Sequence, residues 1–209
     1  MKGKFAINPS DMTKGKMFLT MCMCAAVPLI FSVVFMGLYW NLFAIANDYN
    51  AAVPAQFGDG NFFEACGGAT IVDGKPEVTP SKWQTAFLLN SIVYTMMTVA
   101  TILITLTPFL PMCFYMGACM HSCVGLAHLA AIIVAGVFRF STEGERCAAL
   151  SMQPVTTSGT TMADVGSMFA GMFISQCVLL CIVGCFKMCM FQTGMAVFAV
   201  SKMKSMMGM

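Results

Sequence analysis

The sequence predicts an all-α membrane protein, a four-helix transmembrane bundle with both termini in the cytosol and two extracytoplasmic loops. Of its 209 residues, 58% are hydrophobic and only 10% are charged, whereas about a quarter of the residues in a soluble domain are charged. Four apolar segments are each long enough to cross the roughly 30 Å hydrocarbon core of a bilayer. None of these four segments contains an Asp or a Glu.

The first apolar segment covers residues 17–44 and follows a lysine-rich N-terminus. It is too long for the hydrophobic region of a cleaved signal peptide and has no obvious small-residue cleavage site, so we interpret it as a retained signal anchor. Pro28 interrupts it, and a membrane helix accommodates such a proline as a kink. Tyr39 and Trp40 lie near its far end, where aromatic residues typically line the membrane interface.

Three more membrane helices follow in a single four-span domain. They are predicted at residues 83–106, 112–138 and 165–186, and the last extends to residue 200 if the apolar tail continues the helix. The second and third helices are separated by so few residues that they form a tight antiparallel pair. The two polar outer loops are predicted at about 45–82 and 139–164.

The distribution of basic residues predicts the orientation. Lysines flank the first helix on its N-terminal side, and with four spans the lysines of the C-terminal tail fall on that same side. Cytoplasmic segments carry an excess of Lys and Arg. Both termini are therefore expected in the cytosol.

The cysteines divide into two groups. Each outer loop holds one, Cys66 and Cys147, and two such thiols on an oxidising side predict a disulfide that ties the loops together. The others lie in or beside the helices, where packing is the simplest interpretation. S-acylation of juxtamembrane thiols and ligation of a soft metal such as Cu(I) are the alternatives. The best-placed acylation candidates are Cys22, Cys24, Cys113 and Cys189.

Small and polar residues mark faces of the second and third helices. His121 and His128 share one face with Gly117 and Gly125, an arrangement that favours close helix approach and interhelical hydrogen bonds. Haem or metal ligation by these histidines would need further ligands, and no other helix supplies a histidine, so we predict no cofactor and no metal site. The second helix carries a hydroxyl stripe that either packs against a neighbour or lines a narrow water path: Ser91, Thr95, Thr98 and Thr105.

Several functional classes are disfavoured. Ion-coupled transport usually requires ionisable residues inside the membrane, and the four segments hold no carboxylate. The chain has no HExxH, GxSxG or glycine-rich phosphate loop, so enzymatic activity is not expected. A net charge of +2 without a basic run argues against binding to nucleic acid.

Four spans with a longer first outer loop and a shorter second one resemble the tetraspan families related to claudins and MARVEL-domain proteins. The resemblance is one of topology. The claudin signature is Gly-Leu-Trp followed by two cysteines in the first loop, whereas here Gly37, Leu38 and Trp40 lie inside the first helix and the loop holds only Cys66.

We therefore expect a non-enzymatic, multi-pass protein of the plasma membrane or an endomembrane. Its expected surroundings are the lipid bilayer and either copies of itself or other membrane subunits. The leading hypothesis is a self-associating structural scaffold. The alternatives are a channel or pore-forming subunit that uses the hydroxyl stripe, and an accessory subunit of a larger membrane complex.

Overall fold

The computed structural model describes residues 13–52, 68–72, 75–79, 82–148 and 162–206. The elements in chain order are α1 (Lys14–Ala52), β1 (Gly68–Val72), β2 (Lys75–Thr79), α2 (Lys82–Thr105), α3 (Met112–Phe140), α4 (Thr142–Ala148) and α5 (Met162–Met206).

Four of these helices, α1, α2, α3 and α5, are long and apolar enough to cross a membrane. The predicted architecture of four membrane-length helices is thereby confirmed. The first and last helices are longer than the apolar pattern suggested, since α1 continues to Ala52 and α5 continues without a break to Met206. Polar residues at a membrane boundary do not end a helix, because the backbone hydrogen bonds continue in water.

A short β-hairpin lies between α1 and α2, within the segment that the sequence analysis treated as an outer loop. Its strands pair antiparallel, with Gly68 opposite Thr79 and Val72 opposite Lys75. The β-branched residues of β1 favour an extended backbone. The described residues are therefore not entirely helical, and a five-residue strand is too short to stand out in a sequence dominated by apolar helices.

The short helix α4 follows α3 after a sharp turn at Ser141. The backbone nitrogen of Gly144 donates to Ser141 Oγ over 3.1 Å, which caps the start of the helix. A Cβ atom at Gly144 would collide with the carbonyl oxygens of Phe138 and Arg139. Glycine is therefore the residue that lets α4 fold back so closely on the end of α3.

The chain divides into two compact units, and α1, α2, α3 and α5 contribute residues to both. The first unit comprises the described residues up to Ser32, those of Met96–Gly125 and those from Leu180 onward. Its buried cluster is formed by Met17, Met21, Ala25, Ile104, Phe114, Met190 and Val197.

Two glycines allow helices of this first unit to approach closely. A Cβ atom at Gly117 would lie 2.7 Å from Cγ1 of Ile104, and one at Gly194 would lie 2.8 Å from the ring of Phe114. Both distances are shorter than ordinary van der Waals contact, so α3 packs closely on α2 at Gly117, and α5 on α3 at Gly194.

The second unit comprises Val33–Thr95 and Leu126–Leu179, again in their described parts. Aromatic rings fill its core. Phe87 and Phe169 meet edge to face with 4.7 Å between their centroids, and Trp83 lies 5.7 Å from Phe169. Such pairs add to the stabilisation from apolar burial. This aromatic core surrounds the polar residues described next.

Candidate functional site

Four buried polar side chains meet in the second unit, one from each membrane-length helix. They are Tyr39 of α1, Tyr94 of α2, His128 of α3 and Gln176 of α5, and none is more than 3% exposed. We call these residues the buried tetrad. Burying a polar group without a hydrogen-bond partner is costly, so their positions depend on one another.

The tetrad is joined by three hydrogen bonds. Tyr39 Oη donates to Gln176 Oε1 over 2.9 Å, and Gln176 Nε2 donates to Tyr94 Oη over 2.8 Å. Tyr94 Oη lies 2.9 Å from His128 Nε2. An arrangement in which each proton points from Tyr39 toward His128 satisfies all three contacts, with His128 Nε2 as the final acceptor. Hydrogen bonds connected in this way polarise and strengthen one another.

Aromatic packing holds Tyr94 at the centre of the tetrad. Its ring stacks on Tyr39 at 6.0 Å between centroids and on Phe35 at 5.4 Å. His128 meets it edge to face at 5.0 Å. Phe35 and Tyr39 are one helical turn apart, so a single face of α1 presents both rings to Tyr94. The Tyr94 hydroxyl is therefore fixed in position by packing as well as by hydrogen bonds.

Asn90 forms a second polar link one turn before Tyr94 on α2. Its side chain is fully buried, and Nδ2 donates to the carbonyl oxygens of Ala86 at 2.9 Å and Ala131 at 3.3 Å. The bond to Ala131 connects α2 to α3. Within the described part of the chain, no group donates to Asn90 Oδ1.

The hydroxyl stripe of α2 is largely satisfied by its own helix. Ser91 donates to Phe87 O over 2.7 Å, Thr95 to Ser91 O over 2.8 Å, and Thr105 to Ile102 O over 2.7 Å. Thr98 Oγ1 donates instead to Ser32 Oγ of α1 over 3.1 Å. Trp40 Nε1 also donates to Thr95 Oγ1 over 3.4 Å. At Thr95 and Thr98 the stripe therefore faces α1.

The residues predicted on one face of α3 have different surroundings. His121 and His128 are both buried, but they belong to different units. Gly117 packs against α2, whereas Gly125 is exposed and has nothing within 4 Å of a Cβ position. A shared helical face thus does not imply a shared environment.

The thiols also differ in exposure. Cys22, Cys24 and Cys113 are partly buried, whereas Cys189 is exposed. Cys24 Sγ lies 3.7 Å from Thr193 Oγ1. Among the described residues, no group of three or more His, Cys, Asp or Glu side chains is arranged to hold a metal ion.

The predicted disulfide concerns both outer loops. Cys66 lies outside the described residues, and Cys147 is buried in α4. Their pairing stays a prediction.

An anchor of aromatic and basic residues lies where α2, α3 and α5 meet. Trp83 Nε1 donates to Phe138 O over 3.2 Å, and Arg139 Nε donates to Gly166 O over 2.8 Å. The Arg139 guanidinium carbon lies 6.0 Å from the Trp83 ring centroid. Tryptophan and arginine side chains of this kind typically mark a membrane–water interface.

Sequence reasoning singled out His128 but missed its three partners as a group. Tyr39 was interpreted as part of an interfacial belt, yet it is fully buried. The available signal was Gln176, the single amide of the span predicted at 165–186, because such a residue in a membrane span normally hydrogen-bonds to another helix. Comparison with known proteins found no matching family model, no matching curated protein and no matching solved structure.

Proposed function

We propose that the protein is a non-enzymatic, multi-pass membrane scaffold that works by lateral association with copies of itself. The observation that carries this proposal is the length of its last helix. The apolar span of α5 runs from Ala163 to Val200, which is 38 residues or about 57 Å of helix. A bilayer covers only about 30 Å of this with hydrocarbon, and hydrophobic helices that exceed the bilayer are accommodated by tilting or by oligomerisation.

The excess apolar helix lies at the C-terminal end of α5. Counted from Ala163, the span reaches Lys187 after 24 residues, or about 36 Å, which already exceeds the hydrocarbon core. Lys187 is the only charged residue between Val165 and Val200. A lysine at the end of the core extends its ammonium group toward the headgroups. Beyond Lys187, Met190 and Val197 are covered by the buried cluster of the first unit, and the exposed side of this segment requires a covering other than hydrocarbon.

That segment exposes a row of methionines on one side. Met188, Met195, Met203 and Met206 are each about half or more exposed. Their spacings of seven, eight and three residues place them on one face of the helix. We call these four residues the methionine face. Methionine adapts its shape to a partner and is frequent at protein-binding surfaces, and exposed apolar patches outside the lipid indicate such surfaces.

A second copy of the chain is the partner that this face favours. Most membrane and soluble oligomers with a single chain type are symmetric, and a two-fold interface brings the same patch of each copy together. Flexible thioether side chains interdigitate well with their own kind, since each fills the gaps left by the other.

The packing inside the second unit supports a scaffold rather than a pore. Its centre is filled by stacked rings and by the buried tetrad, and the stripe hydroxyls of Ser91 and Thr95 donate to carbonyl oxygens of α2. In the first unit, Thr98 of the same stripe donates to Ser32. No observation among the described residues favours the alternative of a pore along this stripe.

Charge distribution supports the proposed orientation. The described residues of the first unit include Lys14, Lys16, Lys187 and Lys202 but no Asp or Glu. Cytosolic ends of membrane proteins carry such an excess of basic residues. We therefore propose that both termini lie on the cytosolic side and the two outer loops on the opposite side.

The test is the oligomeric state of the full chain in native membranes and in mild detergent, measured by cross-linking and by native mass spectrometry. The double variant Met188→Gln and Met195→Gln keeps side-chain size but makes the methionine face polar, so we expect it to shift oligomers to monomers. Met23→Gln is the matched control, since Met23 is at least as exposed as Met188 and Met195 but lies on α1.

Three outcomes contradict the proposal. A wild-type chain that is monomeric in detergent and dispersed in its membrane excludes self-assembly. An oligomer that the double variant leaves intact excludes the methionine face as the contact. A fixed set of other proteins in place of a second copy identifies the chain as an accessory subunit.

A further inference from the structure

We propose that Lys187 and His121 form a binding site for a phosphate group at the level of the membrane, with the headgroup of a phospholipid and free phosphate as its two possible sources. Lys187 is half-buried on α5, and His121 on α3 is only 5% exposed. Both belong to the first unit. The proposal does not depend on self-association.

Lys187 and His121 are placed near each other by one contact between α3 and α5. The His121 ring meets Phe191 of α5 edge to face, with 5.3 Å between centroids. Lys187 lies one turn before Phe191 and therefore on the same face of α5. Lys187 and His121 thus lie beside the same contact between α3 and α5.

The site has donors but lacks an acceptor. His121 Nε2 is buried and makes no hydrogen bond to any described residue. The described residues of the first unit contain no carboxylate to neutralise Lys187. A partly buried ammonium group without a counter-ion is unfavourable, and a buried nitrogen without a partner has a similar, smaller cost. Both costs are removed by one anion that accepts hydrogen bonds.

A phosphate group meets the need for an anion that accepts hydrogen bonds. Its usual depth in a bilayer also matches the position of Lys187 along α5. Lysine binds phosphate as a point charge with three donors, and His121 supplies a second donor when Nε2 carries the proton. Lys187 follows about 36 Å of helix after Ala163, which is where the phosphates of one leaflet lie. Lys187 supplies the charge that binds the anion, and His121 Nε2 supplies the second hydrogen-bond donor.

The experiment measures phosphate species retained by the full chain. The protein is reconstituted into vesicles of equal parts phosphatidylcholine and phosphatidylglycerol, released in mild detergent, and analysed by native mass spectrometry with and without inorganic phosphate in the buffer. Lys187→Met is expected to lower retention about tenfold, the effect of losing one charge-assisted hydrogen bond. Lys187→Arg keeps the charge and is expected to keep retention, and Lys202→Met is the control for an exposed lysine.

His121 is tested by a matched pair of variants. His121→Leu removes the donor and is expected to weaken retention, whereas His121→Gln restores an amide donor near the Nε2 position and is expected to recover it. A phospholipid retained in phosphate-free buffer identifies a headgroup, and a bound inorganic phosphate in its place identifies the free ion. Equal retention by the wild type and by Lys187→Met overturns the proposal, as does an equal loss in Lys202→Met.

Discussion

Gln176 Nε2 lies 2.8 Å from Tyr94 Oη, so the last membrane helix donates a hydrogen bond to the second within an aromatic core. The same amide accepts a hydrogen bond from Tyr39 through Oε1. One side chain thereby joins three helices. Interhelical polar contacts of this type select one arrangement of helices among many that bury apolar surface equally well.

Gln176→Leu should reduce the free energy of unfolding by about 1–3 kcal/mol, because the buried hydroxyls of Tyr39 and Tyr94 lose the amide that joins them. Equilibrium unfolding in mixed micelles measures the change. Gln192→Leu removes an exposed amide of the same helix and should change the stability by less than about 0.5 kcal/mol. Equal effects of the two substitutions would mean that the tetrad does not stabilise the fold.

Gly117→Ala should destabilise the protein by about 1–3 kcal/mol through overpacking. The new methyl group would lie 2.7 Å from Ile104 Cγ1 and 3.0 Å from the Ala100 carbonyl oxygen, and the backbone oxygen cannot move without displacing α2. Gly125→Ala has open space around the added atom and should be neutral or slightly stabilising, since alanine favours a helix. The thermal unfolding temperatures of both variants are compared with that of the wild type in one detergent. A Gly125→Ala variant that is as destabilised as Gly117→Ala would contradict the prediction of overpacking at Gly117.

Peptide mapping without reduction should recover a peptide that links Cys66 to Cys147. Breaking this bond by Cys147→Ser should lower stability by about 2–4 kcal/mol, since the bridge restrains a long segment of the unfolded chain. Cys181→Ser removes an exposed thiol of α5 and is the control. Recovery of Cys66 and Cys147 as free thiols from oxidising membranes would refute the pairing, and a linked dimer on a non-reducing gel would show that it joins two chains.

Of the four acylation candidates, Cys189 should be modified most, because it is exposed whereas Cys22, Cys24 and Cys113 are partly buried. Mass-tag labelling after hydroxylamine cleavage of thioesters counts the acyl groups on the chain. Cys189→Ser should remove most of the label, while Cys113→Ser should leave it nearly unchanged. The reverse pattern would show that exposure does not decide which thiol is acylated.

Apolar length predicted the four membrane-length helices, and the ends of α2 and α3 agree with the prediction to within two residues, whereas α1 and α5 extend further. The span around His128 was recognisable because a long segment without charge has few alternatives to a membrane helix. The sequence predicted the continuation of α5 beyond Lys187 only as one of two possibilities, because one lysine marks a change of surroundings and leaves the helical backbone unaffected. The hairpin of β1 and β2 was missed for a different reason, since five-residue strands carry little periodic signal.

The four membrane-length helices and the lysines near both termini follow from the residues alone, because transfer of apolar and charged groups between water and lipid depends on composition. Which residues form the buried tetrad is decided only by the tertiary structure. Its three hydrogen bonds join residues that are 137, 82 and 34 positions apart. Every helix here is apolar on most of its circumference, so its sequence does not reveal which face meets a neighbour. Packing decides that, and a few buried polar groups satisfy their hydrogen bonds in only one of the arrangements.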